Sequence, residues 1–171
     1  MKGMTPTVLE AINQQVSNEF SASFSYLAMA AWCEHHNFTG AGAWLRAQSA
    51  EEHTHGLRLF NFVLARNYQV RLAAIAAPTS EFTNLGDVFE RALAQEHSVS
   101  KQIDSLYELA FKEKMFAAMA ELQWFITEQV EEEKTVREIV AKIKMVSHDP
   151  ASLLDLDREL GARQAPSATA E

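Results

Sequence analysis

Four stretches of the chain carry polar side chains at positions where a helical repeat predicts core residues. In each stretch the apolar residues recur at spacings of three and four, which is the pattern of one buried helix face. The polar residues that interrupt these faces are Glu19, Glu52 with His55, Glu96, and Gln129 with Glu132. Each interruption lies near the middle of its stretch, so a bundle that buries the four faces brings these groups together at one depth.

These acids need positive charge nearby if they are buried. An unpaired ionised carboxylate in an apolar interior costs on the order of tens of kcal/mol by Born estimates, whereas the net stability of a domain is only about 5 to 15 kcal/mol. The four faces carry a single His and no Lys or Arg. The sequence therefore predicts metal cations among the carboxylates. An oxygen-rich set with one imidazole suits iron better than it suits structural zinc, which prefers Cys and His.

Two of the interruptions are pairs of residues three apart, Glu52 with His55 and Gln129 with Glu132. Residues at this spacing share one helix face and can bind one ion together. A single pair of this kind is a weak indication, because a histidine near the surface explains most such matches. Matching interruptions on four faces are much more specific and favour a metal centre over unrelated buried polar residues.

Start and stop signals predict the helices that must position these groups. Thr5 before Pro6, Asn84, and Asp149 before Pro150 are all typical helix N-termini. The predicted helices cover about residues 6–36, 41–67, 85–112 and 115–146, followed by a short leucine-rich fifth helix from about 150. The connection 68–84 is long enough to cross a bundle, which would let the second and third helices run parallel. We predict one domain over residues 1–162 and a disordered tail at 163–171.

The composition excludes several classes of function. The chain has 171 residues, 47% of them hydrophobic, and a formal net charge of −8. That charge argues against binding to nucleic acid or to anionic membranes and favours the attraction of cations. No segment approaches the ~20 apolar residues of a membrane span, and the first ten residues lack the apolar region of a signal peptide. We therefore expect a cytoplasmic protein, in which the single Cys33 is a core residue outside any internal disulfide.

The sequence around the polar residues resembles the prokaryotic non-haem ferritins over nearly its whole length. The matching stretches are NEFSASFSYLAMAAWC around Glu19, AEEHTH around Glu52 and His55, and LQWFITEQVEEEK around Gln129 and Glu132. Ferritin-like bundles hold two iron or manganese ions with one Glu from each of two helices and an i, i+3 pair from each of the other two. The resemblance implies an all-α, ferritin-like four-helix bundle with a long crossover between helices 2 and 3 and a short C-terminal fifth helix. It also implies a homo-oligomeric, hollow cage of 24 subunits.

A dinuclear ferroxidase centre follows from the same resemblance. The first iron would be held by Glu19, Glu52 and His55, and the second by Glu96 and Glu132. Glu52 would bridge the two ions, with Gln129 close by. No haem is expected, because haem-containing bacterioferritins repeat the Glu-x-x-His motif on the fourth helix, where this chain has Thr135.

Further residues gain a role from the resemblance. A third metal site is typical of such ferritins, and its acids would be Glu51, Glu128 and Glu131 here. Tyr26 is two turns from Glu19 on the same face, so it could hydrogen-bond the site and give up an electron during oxidation. The alternative for Tyr26 is a core tyrosine that only hydrogen-bonds a carboxylate.

The predicted reaction is the oxidation of Fe(II) to Fe(III) by O2 or H2O2, followed by storage of a ferric oxyhydroxide mineral. One alternative is a non-storing di-iron oxidase or peroxidase of the rubrerythrin type, although that class usually has a second histidine ligand or an attached iron–sulfur domain. A cage subunit that only nucleates mineral is a further alternative. The intact acids argue against it, because such a subunit could replace them with apolar residues.

Overall fold

The structure, a computed structural model, describes residues 3–162 and contains five helices and no strand within that range. They are α1 (Pro6–His35), α2 (Thr39–Ala65), α3 (Leu85–Lys112), α4 (Phe116–Val146) and α5 (Pro150–Gly161). The all-α prediction is confirmed, with helix ends that agree to within about two residues. The predicted tail, 163–171, lies outside the described residues. None of the helices in residues 3–162 combines the length and the apolar character that crossing a membrane requires.

Three of the helices begin with the caps that the sequence predicts. The side chains of Thr5, Asn84 and Asp149 accept hydrogen bonds from backbone N–H groups of the first turns of α1, α3 and α5, at 3.5, 3.0 and 3.1 Å. Such caps satisfy donors that have no partner within the helix. Pro6 and Pro150 occupy the first turns of α1 and α5, where a missing N–H costs nothing.

The crossover between α2 and α3 runs along α1. Asn13 Oδ1 accepts from the Arg71 N–H at 3.1 Å, and Ser17 Oγ accepts from the Ala73 N–H at 2.9 Å. Farther along, Phe82 meets Trp32 near the C-terminal end of α1 with ring centroids 5.9 Å apart. The crossover therefore carries the chain from one end of α1 to the other, which makes α3 parallel to α2.

The N-terminus of α2 is capped by a residue from the other end of the chain. Both carboxylate oxygens of Asp157 in α5 accept backbone N–H groups of α2, from Gly40 at 3.1 Å and from Ala41 at 2.8 Å. Phe38, the residue before α2, gives no side-chain cap. The sequence predicted that α2 begins at about residue 41, whereas it begins at Thr39, because the cap comes from a distant helix.

The buried core consists of two apolar clusters with a polar layer between them. On α1 one cluster ends at Val16 and the other begins at Tyr26, so Glu19 lies between them. The same division places Glu52, Glu96 and Glu132 between the clusters on α2, α3 and α4. The polar residues of the four helices therefore lie at one depth of the bundle.

Candidate metal centre

The polar layer is almost completely withdrawn from solvent. Glu19, Glu52 and Glu96 are 0% exposed, and His55, Gln129 and Glu132 are at most 5% exposed. Carboxyl groups are seldom fully buried without a partner, because desolvation favours their neutral form. The layer therefore needs either protons or cations.

One half of the layer has the geometry of a metal site. Ligand atoms of Glu19, Glu52 and His55 lie within 4.8 Å of one another. His55 Nδ1 is 3.4 Å from Glu52 Oε2. Among residues 3–162, Glu19 Oε2 and both carboxylate oxygens of Glu52 are buried without a hydrogen-bond donor. The two carboxyl groups can hydrogen-bond each other only when one of them holds a proton. Unsatisfied buried oxygens are rare in folded proteins, and three of them beside an imidazole match the donor set of a hard or borderline cation.

The proton affinities of these groups reflect the same burial. Desolvation raises the pKa of Glu19 to about 7, against the opposing hydrogen bond from Gln15, and raises the pKa of Glu52 well above its ordinary value. The nearby Glu96 charge adds to both effects. Desolvation lowers the pKa of His55 to about 4, with a smaller contribution from Arg58. The imidazole is therefore neutral at pH 7, which is the form that binds metal.

Glu96 forms the other half of the layer with two residues from neighbouring helices. The Tyr26 hydroxyl donates a short hydrogen bond to Glu96 Oε1, and Gln129 Nε2 donates to Glu96 Oε2 at 3.2 Å. Burial raises the pKa of Glu96, and these two hydrogen bonds oppose the rise. Tyr26 is thus hydrogen-bonded to a predicted ligand. This contact is consistent with a redox role for the phenol and equally with a core tyrosine that only hydrogen-bonds a carboxylate.

Two buried glutamines complete the layer, and sequence reasoning gave neither of them a role. Gln15 Nε2 donates to Glu19 Oε1 at 2.8 Å. Gln48 Nε2 donates to Glu132 Oε2 at 2.6 Å. Each glutamine is four residues before a predicted ligand (Glu19 and Glu52) on the same helix face, and that spacing was a usable signal. These amides stabilise the ionised carboxylates and fix their orientation.

A second group of acids lies beside the first. Ligand atoms of Glu51, His55, Glu128 and Glu132 are within 4.8 Å of one another. Glu51 and Glu128 are only partly buried, and their charges help to raise the pKa of Glu132 to about 8, after the larger effect of burial. This group contains two of the three acids expected for the third metal site.

Glu131, the third of those acids, is placed differently from the other two. Its side chain is 66% exposed, and its carboxylate lies 3.6 Å from Lys134 Nζ, three residues along α4. The structure therefore groups Glu51 and Glu128 with His55 and Glu132 and leaves Glu131 at the surface.

Aromatic and cationic side chains cover the outer side of His55. The imidazole meets the Trp124 ring edge-on, with centroids 5.3 Å apart. The Arg58 guanidinium lies 4.2 Å above the same indole ring and bonds Glu121 Oε1 through Nε at 2.6 Å. Such contacts limit rotation of the imidazole, as expected for a preorganised ligand.

The family model of the ferritin-like domain matches residues 9–146. The chain belongs to the ferritin family. Among its curated relatives are bacterial non-heme ferritins from Staphylococcus saprophyticus, 35% identical over 91% of this chain and 93% of that protein, and from Staphylococcus aureus, 32% identical over 94% and 96%. These relatives confirm the resemblance inferred from the sequence.

Solved ferritin structures agree with the fold. An engineered closed form of the Archaeoglobus fulgidus ferritin superposes with a TM-score of 0.93 at 38% identity, covering 95% of this chain and 99% of that one. The open-pore ferritin of the same archaeon superposes with the same TM-score at 37% identity, covering 94% and 98%. The ferritin-like bundle with its long crossover and fifth helix is therefore confirmed.

Proposed function

We propose that this ferritin stores iron, and that it oxidises Fe(II) at a dinuclear centre before depositing it as a ferric oxyhydroxide mineral. The observation that carries the proposal is the set of three buried carboxylate oxygens on Glu19 and Glu52 that lack a hydrogen-bond donor next to a neutral His55. A ferrous ion bound there supplies the charge that the layer lacks. The names of the relatives support iron as the metal.

Each predicted ligand takes a role that fits its position. Glu19, Glu52 and His55 would hold one ion, and Glu96 and Glu132 the other, with Glu52 bridging. Gln129 on α4 would orient the Glu96 carboxylate through its amide, and Tyr26 on α1 would hydrogen-bond the same carboxylate. Glu51 and Glu128 would hold a third ion on the partly exposed side, where Glu131 is the most solvated of the three acids.

The reaction needs little covalent chemistry from the protein. Two ferrous ions give up one electron each, and the two electrons reduce O2 to H2O2, or H2O2 to water, with protons taken from solvent. The carboxylates hold the two ions close together so that one oxidant accepts both electrons. They also stabilise the higher charge of the ferric product, because ionised oxygen ligands favour a trivalent ion over a divalent one.

Storage requires an enclosed space, which one bundle does not provide. We propose a homo-oligomeric cage of 24 chains in the cytoplasm, with the mineral inside. The membership of the ferritin family supports this assembly.

Anaerobic titration with Fe(II) and measurement of the native mass test the proposal together. The expected result is two or three ions per chain in a particle of about 24 chains, followed by rapid oxidation when O2 is admitted. Glu52→Ala and His55→Ala should each abolish rapid oxidation while leaving the particle assembled. A wild-type rate in either variant would refute the site assignment. Oxidation without a retained mineral would favour the non-storing oxidase of the rubrerythrin type.

A further inference from the structure

A groove between α3 and α4 opens at the protein surface and is lined by Gln129, a residue of the buried polar layer. Its volume is about 250 Å³, and its polar lining residues are Ser100, Asp104, Gln129, Glu133 and Arg137. We call it the α3–α4 groove. It is separate from the group formed by Glu51 and Glu128, which belongs to the α2 and α4 side of the bundle.

Gln129 connects the groove with the centre, because the same side chain lines the groove and contacts Glu96. Its Nε2 donates to Glu96 Oε2 at 3.2 Å and lies 3.4 Å from Ser100 Oγ. Ser100 Oγ in turn donates to Glu133 Oε1 at 2.5 Å. A continuous line of polar groups therefore runs from Glu133, whose side chain is 26% exposed, to the fully buried Glu96 carboxylate.

The size and charge of the groove suit a hydrated divalent cation. Six waters at about 30 Å³ each occupy about 180 Å³, which is less than the groove volume of about 250 Å³. Asp104 and Glu133 contribute negative charge and Arg137 contributes positive charge. His97 Nε2 lies 3.5 Å from Glu133 Oε2 on the surface side. Charges that line a cleft change the arrival rate of an ion more than charges on an open surface do.

Gln129 is suited to act as a gate at the inner end. When the amide rotates away, Glu96 keeps its hydrogen bond from Tyr26, and the amide itself carries no charge that would lose a partner, unlike a carboxylate or a guanidinium. Its carbonyl oxygen can also replace a water on a passing ion, because amide oxygens bind divalent cations. Glu96, which Gln129 contacts, belongs to the same buried layer as Glu19 and Glu52, three of whose oxygens lack a hydrogen-bond donor.

We propose that the α3–α4 groove is an access route for hydrated Fe(II). Asp104 and Glu133 lie at its outer end, Ser100 lies between them and Gln129, and Gln129 is the inner gate that must move to admit the ion. The inference rests on the proposed function, because it needs a centre that takes up ferrous ions. It assigns a kinetic role to Ser100, Glu133 and Arg137, which are not ligands of the centre.

Opposite charge changes should shift the rate in opposite directions. Glu133→Gln should slow the oxidation of sub-saturating Fe(II) by roughly three- to tenfold, and Arg137→Gln should accelerate it by a similar factor. At saturating Fe(II) the two rates should approach the wild-type rate, because entry no longer limits the reaction. Glu138→Gln makes the same charge change at an exposed position of α4 that does not line the groove, so it is the matched control and should show the wild-type rate.

A steric block provides an independent test. Ser100→Leu places a bulky side chain in the groove and should slow entry of Fe(II) about tenfold or more. Ser98→Leu adds the same side chain at an exposed position two residues away on α3, so it is the control and should show the wild-type rate. Anaerobic titration of all variants should still give the wild-type number of ions per chain at equilibrium, because a route affects rates alone. If Ser100→Leu does not fold, the pair Glu133→Gln and Arg137→Gln decides the question.

The outcomes separate the two proposals. A wild-type protein that binds no Fe(II) anaerobically would overturn the proposed function itself. A wild-type protein that binds and oxidises Fe(II), with Glu133→Gln, Arg137→Gln and Ser100→Leu all at its rate under sub-saturating iron, would overturn the access route and leave the centre intact. Shifts of the same sign in Glu133→Gln and Arg137→Gln would also reject an electrostatic route.

Discussion

The ion-free form of this ferritin should lose stability as the pH rises from about 5 to about 8, because the raised pKa values of Glu132 and Glu19 outweigh the lowered pKa of His55, which acts in the opposite direction. Burial raises the pKa of Glu132 from 4.5 to about 8, so the folded chain keeps a proton that the unfolded chain releases. Stability that arises from a raised carboxyl pKa is fully present below the unfolded value and is lost as the pH rises through the folded value. At roughly 1.4 kcal/mol per pKa unit, the full effect of Glu132 is about 5 kcal/mol, of which about 3.5 kcal/mol is lost between pH 5 and pH 8. That is a large part of the net stability of a domain, about 5 to 15 kcal/mol.

The assay is denaturant unfolding of the ion-free protein at several pH values between 5 and 8, for the wild type and for Glu132→Gln. Protein concentration must be constant, because assembly contributes to apparent stability. The glutamine variant has no titrating group at this position, and its amide oxygen can still accept the Gln48 hydrogen bond. Its free energy of unfolding should therefore fall less steeply, with a difference of several kcal/mol between the two ends of the range.

Bound divalent ions should reverse the trend for the wild type. A cation binds the ionised carboxylates, so its stabilising effect grows as the pH rises. Adding anaerobic Fe(II) at pH 8 should restore the stability lost in the ion-free protein. Identical pH profiles for the wild type and Glu132→Gln would refute the reasoning, because they would mean that the carboxyl titrates alike in the folded and unfolded chains.

Tyr26→Phe should slow first-turnover oxidation in stopped flow. It should also lower the free energy of unfolding by about 1 to 3 kcal/mol, because Glu96 loses a buried hydrogen bond. An unchanged stopped-flow trace would mean that the phenol has a structural role and no redox role. Glu128→Gln should alter multi-turnover iron uptake more than Glu131→Gln does, since Glu131 is exposed beside Lys134, and equal effects in an uptake time course would contradict this ranking. Asp157→Ala should lower the thermal unfolding midpoint through the loss of both cap bonds on α2, worth about 0.5 to 2 kcal/mol, while an unchanged midpoint would show that the cap contributes nothing.

The helices and the depth of the polar layer could be predicted from the sequence because both depend on local repeats. A helix fixes the angle between residues three and four apart, so the apolar faces around Glu19, Glu52 and Glu96 follow from counting. The caps at Thr5 and Asn84 are equally local. The family resemblance added the assignment of ligands, which periodicity does not give.

Contacts between helices could not be predicted in the same way. The repeat on α4 places Glu128, Glu131 and Glu132 at known angles around one axis, but it does not fix the rotation and axial position of α4 relative to α2. Those two quantities determine that Glu128 approaches Glu51 while Glu131 faces solvent.

What the sequence by itself determined is that four helices each carry a polar group at mid-length, and that burying these groups demands cations. Only the tertiary structure decided which groups meet: Gln48 on Glu132, the Asp157 cap on α2, and Gln129 between the α3–α4 groove and Glu96. The physical reason is the sequence separation over which each kind of interaction acts. Periodicity and capping act within a few residues of the chain, whereas these contacts join residues more than 30 positions apart and depend on how whole helices pack.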